Sequence, residues 1–313
     1  MLKRHWQNTI TNLLKALVII ARIVPKRALL AIASGLGTFG FYASGRYRNV
    51  AIKNLRMTFG NSLSDIEVIK ITKTVFQSFA KSFVAEFPWS ASASGVMLKN
   101  LIELRSEDRV VIERLLAMNK GMIVTSAHFG NFELLGPRFQ SEGYKIAVVV
   151  RNDPNSVFAE TINEIRRHSY DVIPRGKAAK QVIKRLREGW VVAMLPDQKS
   201  DDLLLSFFGI PTGTVAGPAV MSLRTGTPIL PIYCVRMPDD SHRIVLDEPI
   251  IPVSTDDYDQ EVRRIMSEIN RSIESIVRQY PGQWLWLHDR WRNVPELIAR
   301  EAAQTGDDAM VVA

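Results

Sequence analysis

Within the stretch GMIVTSAHFGNFELLG (121–136), His128 and Glu133 are residue types that together can move a proton. An imidazole whose one nitrogen is held by a carboxylate can take a proton from a hydroxyl through the other, and the activated hydroxyl can attack an acyl carbon. On one continuous helix, at roughly 100° per residue, side chains five positions apart diverge by about 140° and do not meet. The pair therefore needs a break between its members. The apolar, β-branched run 122–125 reads as a buried strand, and Gly130 with Asn131 reads as the turn that ends it. Asn131 fits as the N-cap of a following helix, with Glu133 in its first turn. His128 on the turn and Glu133 just inside the helix are then expected as base and orienter. No Gly-x-Ser-x-Gly elbow and no phosphate-cradling G-x-x-x-x-G-K is present. Ser126 shares a strand face with His128 but is not on a strained nucleophile turn, so direct attack by an acceptor hydroxyl is expected rather than an acyl-enzyme. The turn amides near Gly130 are the candidates to hold the oxyanion.

The elements that must position this pair follow from the hydrophobic pattern. Strands are expected at 145–150, 171–173 and 190–195, with helices at 157–168 and 178–188 between them. Such alternation predicts an α/β fold with a mixed, largely parallel central sheet flanked by helices, whose ligands gather beyond the carboxyl ends of the strands. The residues at those exits are His128, Arg151, Arg175, and Asp197 with Gln198. Arg151, Arg166 and Arg175 are candidate phosphate clamps, because a planar guanidinium suits phosphate better than lysine does. Asp197 is placed to order these arginines or to contact the acceptor, and Asn131 and Gln198 complete the expected substrate-contacting set. Further on, 203–210 (LLLSFFGI) reads as an apolar loop walling a chain-binding groove. A strand at 229–235, an antiparallel companion at 243–246 and a long helix at 258–279 follow. The segment QWLWLHDRWR (283–292) carries tryptophans and arginines suited to a membrane interface or to capping the core. Histidines 5, 168, 242 and 288 show no metal-ligand spacing with the acids, so neither a metal nor a cofactor is expected.

At 313 residues and 46% hydrophobic, the chain can bury a large core, and one cysteine, Cys234 in an apolar run, can make no internal disulfide, which suits a reducing compartment. The net charge of +8 is unevenly placed: the first 64 residues hold ten Lys or Arg and no acid, which leaves 30 basic and 32 acidic residues for the rest. No nucleic-acid-binding signature accompanies that charge, and an anionic membrane is the better match. Residues 10–24 have helical apolar spacing with a narrow basic face, Pro25 interrupts, and 28–43 follow without a charge. Neither run reaches the ~20 apolar residues of a comfortable span. An N-terminal membrane-anchoring helical segment over 1–60 is expected, interfacial or as a tilted span, ahead of a catalytic domain at 61–300 and a flexible tail at 301–313. GLGTFG (35–40) matches G-x-G-x-x-G but lacks a preceding strand and an acid ~20 residues on. Small residues closing up a membrane-apposed helix explain it more simply. Ser64 opens another helix with Ile66, Ile69, Val75, Phe76, Phe79 and Phe83 on one face.

Taken in order, HFGNFE (128–133), RN (151–152), IR (165–166), PRG (174–176), PDQ (196–198), FFG (207–209) and QWLWLH (283–288) resemble the blocks of the bacterial lipid A late acyltransferase family, within the lysophospholipid acyltransferase superfamily. The likeness runs from about residue 5 to residue 292; Asp289 departs from it. The resemblance implies an enzyme on the cytoplasmic face of the bacterial inner membrane that moves a fatty acyl group from acyl carrier protein to a hydroxyl of a phosphate-bearing lipid A precursor. It further implies His128 as base, Glu133 as its partner, and Arg166 with Asp197 in support. Relatives that acylate phosphatidylinositol mannosides share much of the pattern, so another glycolipid acceptor, with acyl-CoA as donor, is the alternative.

Overall fold

The run 122–125 is apolar on both faces because both faces are covered. In the computed structural model, which describes Thr9, Asn12, Ala16 and residues 18–21, 23–151, 157–175, 178–292 and 294–305, this run is the strand β2 (Met122–Thr125), buried at every position. Ile123 packs into the core on one side of the sheet, and Met122 and Val124 into the core on the other, as the period of two requires.

The other strands are β1 (Ile102–Glu103), β3 (Ile146–Val150), β4 (Asp171–Pro174), β5 (Val191–Met194), β6 (Leu203–Phe207), β7 (Ile210–Thr214), β8 (Ile229–Arg236) and β9 (His242–Leu246). Seven form one sheet in the order β1-β9-β8-β2-β5-β3-β4; every pairing is parallel except β8 with β9. The expected mixed, largely parallel sheet is what forms. β6 and β7 are a separate hairpin, so the expected apolar loop at 203–210 is corrected. Phe208 and Gly209, both at positive φ (56° and 77°), make its two-residue turn, and Phe207 and Phe208 are buried in the core rather than lining a groove.

Helices cover both faces. α1 (Lys26–Ala43) and α2 (Gly45–Phe59) meet at 88° and pack on α3 (Asp65–Ala80), which a capping box between Ser64 and Glu67 opens and a wide π-type turn, Lys81–Glu86, extends. α4 (Phe87–Ser90), α5 (Gly95–Leu101), α6 (Ser106–Leu116), α7 (Leu135–Ser141), α8 (Val157–Arg167), α9 (Ala178–Arg187), α10 (Gly217–Thr225), α11 (Tyr258–Gln279) and α12 (Val294–Thr305) complete the set. A Cβ on Gly37 would stand 2.6 Å from the backbone of Gln77, so within GLGTFG it is Gly37 that lets α1 lie against α3, whereas Gly35 meets nothing within 4 Å. The expected face of α3 is only partly inward: Val75 is buried, whereas Ile66 and Ile69 are exposed.

No single helix among the described residues is long and apolar enough to cross a membrane. About half of the amphipathic segment expected at 10–24 lies outside the described residues. α1, however, is apolar on two sides. Leu29, Leu30, Ala33 and Phe41 are buried, while Ile32, Leu36, Phe39 and Tyr42, spaced as one helical face, are exposed. α2 belongs to the body, with Ala51 and Leu55 in the main core and Asn54 donating to the carbonyls of Trp286 and His288.

The helical layer is tied to the sheet by Glu86, fully buried in the π-type turn. Its Oε2 accepts from Arg236 at the end of β8 (2.6 Å) and from Asn131 (2.6 Å), and its Oε1 faces Lys26 of α1 at 3.3 Å. Glu86→Ala takes the paired carboxylate from Lys26 and leaves Arg236 with only the longer Asp240 contact (3.4 Å), a loss of about 3–5 kcal/mol. We expect the thermal midpoint to fall by roughly 10 °C, read by circular dichroism; a shift of a degree or two would contradict the tie.

Candidate active site

β2 and β5 are parallel neighbours with Thr125 opposite Met194, and His128 and Asp197 each lie three residues past that pair. In-register exits therefore bring the two side by side. His128 Nδ1 lies 2.8 Å from Asp197 Oδ1, and the His128 amide donates to Asp197 Oδ2 at 2.9 Å. Trp284 Nε1 donates to the same Oδ2 at 3.0 Å, so three donors saturate a carboxylate that is only 2% exposed. An ionised carboxylate only accepts, so Nδ1 carries the ring proton and Nε2 is the basic nitrogen. The chain after α11 clamps the turn. Leu285 donates to the His128 carbonyl (3.0 Å), Phe129 bridges to Trp284, and the Gly130 amide donates to Gln283 O (2.9 Å). Gly130 is at φ +55°, and a Cβ there would fall 2.0 Å from the Cys234 carbonyl oxygen, so no other residue fits.

The expected orienter is thus corrected. Asp197, not Glu133, holds the imidazole. Glu133 sits in a short 3₁₀ turn (Phe132–Leu134) and accepts two bonds from one edge of the Arg166 guanidinium, Nε at 3.1 Å and Nη2 in a closer contact, and one from Tyr170 Oη at 3.2 Å. Arg166 is in turn committed to Glu133 and to Asn163 Oδ1 (3.1 Å), a wall of the site rather than a free phosphate clamp. Gly136 admits the Tyr170 ring, which a Cβ there would meet at 2.3 Å. Asn131, expected as an N-cap and a substrate contact, is fully buried and turned to Glu86, with no capping bond. The amides expected to hold an oxyanion are occupied: Gly130 by Gln283 O and Asn131 by Cys234 O.

His128, Glu133, Arg151, Arg166, Arg175 and Gln198 line one cavity of about 560 Å³. Its floor is apolar, with Val124, Leu135, Phe139, Ile146, Val148 and Val182. Arg151 and Arg175, at the exits of β3 and β4, are exposed at its mouth and pair with no acid among the described residues. Their partners in the sequence motifs, Asn152 and Gly176, lie outside the described residues. The His128 side chain is 25% exposed, and Phe132 packs edge-on against it with ring centres 5.0 Å apart. The Gln198 amide nitrogen stands 3.5 Å from Nε2, a long and weak contact. Nε2 otherwise faces the cavity.

Burial works against a charged imidazole here, but the Asp197 carboxylate, by charge and by hydrogen bond, more than offsets it and holds the His128 pKa above its ordinary value. Glu133 adds to the rise and Arg166 subtracts from it. Asp197 itself is held below the usual carboxylate range despite complete burial, by His128 and by its other donors. Cys234 is buried and its thiol pushed up, so it serves as a small hydrophobe. Trp284 and Trp286, expected at a membrane interface or capping the core, are buried in the core, as is Arg290. The sequence reading missed Trp284 and Tyr170 as parts of the site. Tyr170 lies three residues beyond the end of α8, where helical spacing gives no signal.

Known proteins share the sequence in part. The family described as "Bacterial lipid A biosynthesis acyltransferase" matches residues 2–293. The lipid A biosynthesis palmitoleoyltransferase of Escherichia coli (strain K12) is 23% identical over 255 residues, 80% of each chain. The lipid A biosynthesis lauroyltransferase of the same organism is 25% identical over 186 residues, 58% of this chain and 59% of that protein's own length. A phosphatidylinositol mannoside acyltransferase of Mycobacterium tuberculosis (strain CDC 1551 / Oshkosh) is 28% identical over 142 residues, 42% of this chain and 45% of its own.

The assignment of Asp197 is open to titration. An imidazole paired with a carboxylate is protonated more readily, so removing the negative charge lowers its pKa. Asp197→Asn is expected to lower the His128 pKa by about one unit or more, followed by ¹⁵N NMR. Glu133→Gln should lower it less, because Arg166 already neutralises Glu133. Equal falls would overturn the assignment.

Proposed function

Because the chain belongs to the bacterial lipid A biosynthesis acyltransferase family, we propose that it moves a fatty acyl group from a carrier thioester to a hydroxyl of a phosphate-bearing glycolipid. The observation that carries this reading is His128 Nε2, opposed only by the long Gln198 contact, at the head of a cavity with an apolar floor and arginines at its mouth.

The acceptor hydroxyl gives its proton to Nε2 as its oxygen attacks the thioester carbon. The ring, now positive, is stabilised by Asp197, whose geometry does not change during the step. When the tetrahedral species collapses, the C–S bond breaks and the Nε2 proton passes to the departing sulfur. The acyl chain lies along the apolar floor. Arg151 and Arg175 engage phosphate at the mouth, of the acceptor or of the donor's pantetheine arm, with Gln198 beside them. Glu133 and Arg166 form a neutralised pair that walls the site and adds field at His128.

For the donor we favour acyl carrier protein, and for the acceptor a lipid A precursor. A phosphatidylinositol mannoside acceptor with acyl-CoA is the second reading, favoured by the 28% identity to the mycobacterial protein. The exposed face of α1 and the acid-free basic N-terminal segment support a seat on the cytoplasmic side of the inner membrane.

His128→Ala is expected to lower acyl transfer roughly 100- to 10,000-fold while leaving the thermal midpoint within a few degrees; retained turnover would remove the base. Rates of wild-type enzyme with acyl carrier protein and CoA thioesters, on a lipid A precursor and on a phosphatidylinositol mannoside, separate the two readings. The pH profile carries a sign: only the neutral ring acts as base, so kcat/KM should rise with pH through a midpoint above the ordinary imidazole pKa of about 6.5. Ile32→Glu with Phe39→Glu is expected to reduce co-sedimentation with anionic vesicles several-fold without loss of turnover on a short, soluble acceptor; unchanged sedimentation counts against the proposed seat.

A further inference from the structure

Three side chains of the β2 exit line the cavity at alternate positions: Val124, Ser126 and His128. Alternation puts them on one face, in order from the apolar floor to the catalytic ring. Ser126 is 2% exposed, and its Oγ finds no hydrogen-bond partner among the described residues. The neighbouring Thr125 hydroxyl is also unpartnered, but it faces the other side of the strand and does not line the cavity. Buried hydroxyls are ordinarily satisfied, and one left open on a substrate-sized cavity is satisfied by what binds there. Ser126 does not bond to His128, whose Nδ1 is taken by Asp197, so the pair is not a nucleophile with its base.

The atom that needs a donor at this height follows from the proposed reaction, on which this inference rests. With the acyl chain on the floor around Val124 and the attacking hydroxyl at His128 Nε2, the thioester carbonyl lies between them, beside residue 126. The turn amides that could have served it are occupied by Gln283 and Cys234 carbonyls. The geometry points to Ser126 as a catalytic residue that donates its Oγ hydrogen to the carbonyl oxygen of the acyl donor and stabilises the negative charge there in the tetrahedral species. As the acceptor oxygen bonds to the carbonyl carbon, the π pair moves onto that oxygen and the acceptor proton goes to His128. As the C–S bond breaks, the pair returns and the proton leaves with sulfur. Ser126 forms and breaks no covalent bond.

The test uses the full-length protein, dodecanoyl-pantetheine as donor and its thioether analogue, in which a methylene replaces the carbonyl. Ser126→Ala is expected to lower kcat roughly 100-fold or more with KM changed only a few-fold, as for loss of one oxyanion donor, and Ser126→Thr is expected to restore much of it. Binding of the thioether should not distinguish Ser126→Ala from wild type, which separates lost transition-state stabilisation from a collapsed cavity. A kcat within threefold of wild type in Ser126→Ala, with the protein folded by its melting curve, overturns the proposal. So does a dodecanoyl adduct on Ser126 in the mass spectrum of enzyme quenched during turnover, since that would make it a nucleophile. Should Ser126→Ala not fold, Ser126→Gly and Ser126→Thr are read against wild type, and equal kcat in Gly and Thr overturns it. His128→Ala run in parallel tells the failures apart: an active His128→Ala sinks the acyl-transfer scheme, whereas an inactive His128→Ala beside an active Ser126→Ala sinks only the role of the serine.

Discussion

The site depends on one carboxylate with nowhere else to go. Asp197 accepts from the His128 ring, the His128 amide and the Trp284 indole, and it is buried behind all three. A carboxylate desolvated to this degree is tolerable only while its donors stay in place. The same three bonds that satisfy Asp197 therefore fix the ring plane, the tautomer and the turn that carries His128. The register of β2 with β5 sets the spacing, and the segment after α11 supplies the third donor and pins the carbonyl side of the turn. Chain segments far apart in sequence are locked by one ion.

Glu133 illustrates why nearness in sequence misleads. The backbone after His128 turns through Gly130 and a 3₁₀ turn rather than entering a helix at once, and this directs Glu133 to Arg166 and Tyr170. The arginine pKa is raised by that pairing in spite of burial, and the Tyr170 hydroxyl is pushed well above its ordinary value, so both stay protonated as donors. Such a pair has no net charge. Its contribution at His128 is a modest field, one that Arg166 partly cancels, and a rigid wall for the cavity. Orientation of a base demands a direct bond, and only Asp197 makes one.

Much of this was legible beforehand, for identifiable reasons. The strands at 145–150, 171–173 and 190–195 and the helices between them lie within a residue or two of where apolar periodicity puts them, because a sheet covered on both faces leaves continuous β-branched runs. The convergence of four strand exits on one cavity followed from parallel order alone. The partner of His128 did not, since it depends on which strands are neighbours: β5 inserts between β2 and β3, and nothing local at 196–198 says so. The hairpin at 203–214 was hidden because its apolar strands lack alternation and its turn uses Phe208 in the left-handed region, where glycine or asparagine is the usual signal. The tryptophans of 283–292 were ambiguous because an indole serves equally as an interfacial anchor and as a buried donor; only the position of Asp197 decides.

Glu86 carries the argument from the site to the surface. Five segments meet at it: α1 through Lys26, the π-type turn that holds it, β8 through Arg236, β9 through His242 (3.4 Å), and the His128 turn through Asn131. Replacing such a buried cluster with apolar residues often stabilises a protein, so stability alone gives no reason to keep it. What ion pairs and a 2.6 Å amide bond supply that apolar packing does not is direction. They fix where α1 lies relative to the turn that carries the base. Since α1 presents a bare apolar face of Ile32, Leu36, Phe39 and Tyr42, the orientation of the cavity with respect to any surface that covers that face is set by Glu86. The base and the lipid-facing helix are thus placed by two buried carboxylates, one holding the ring and one holding the frame around it.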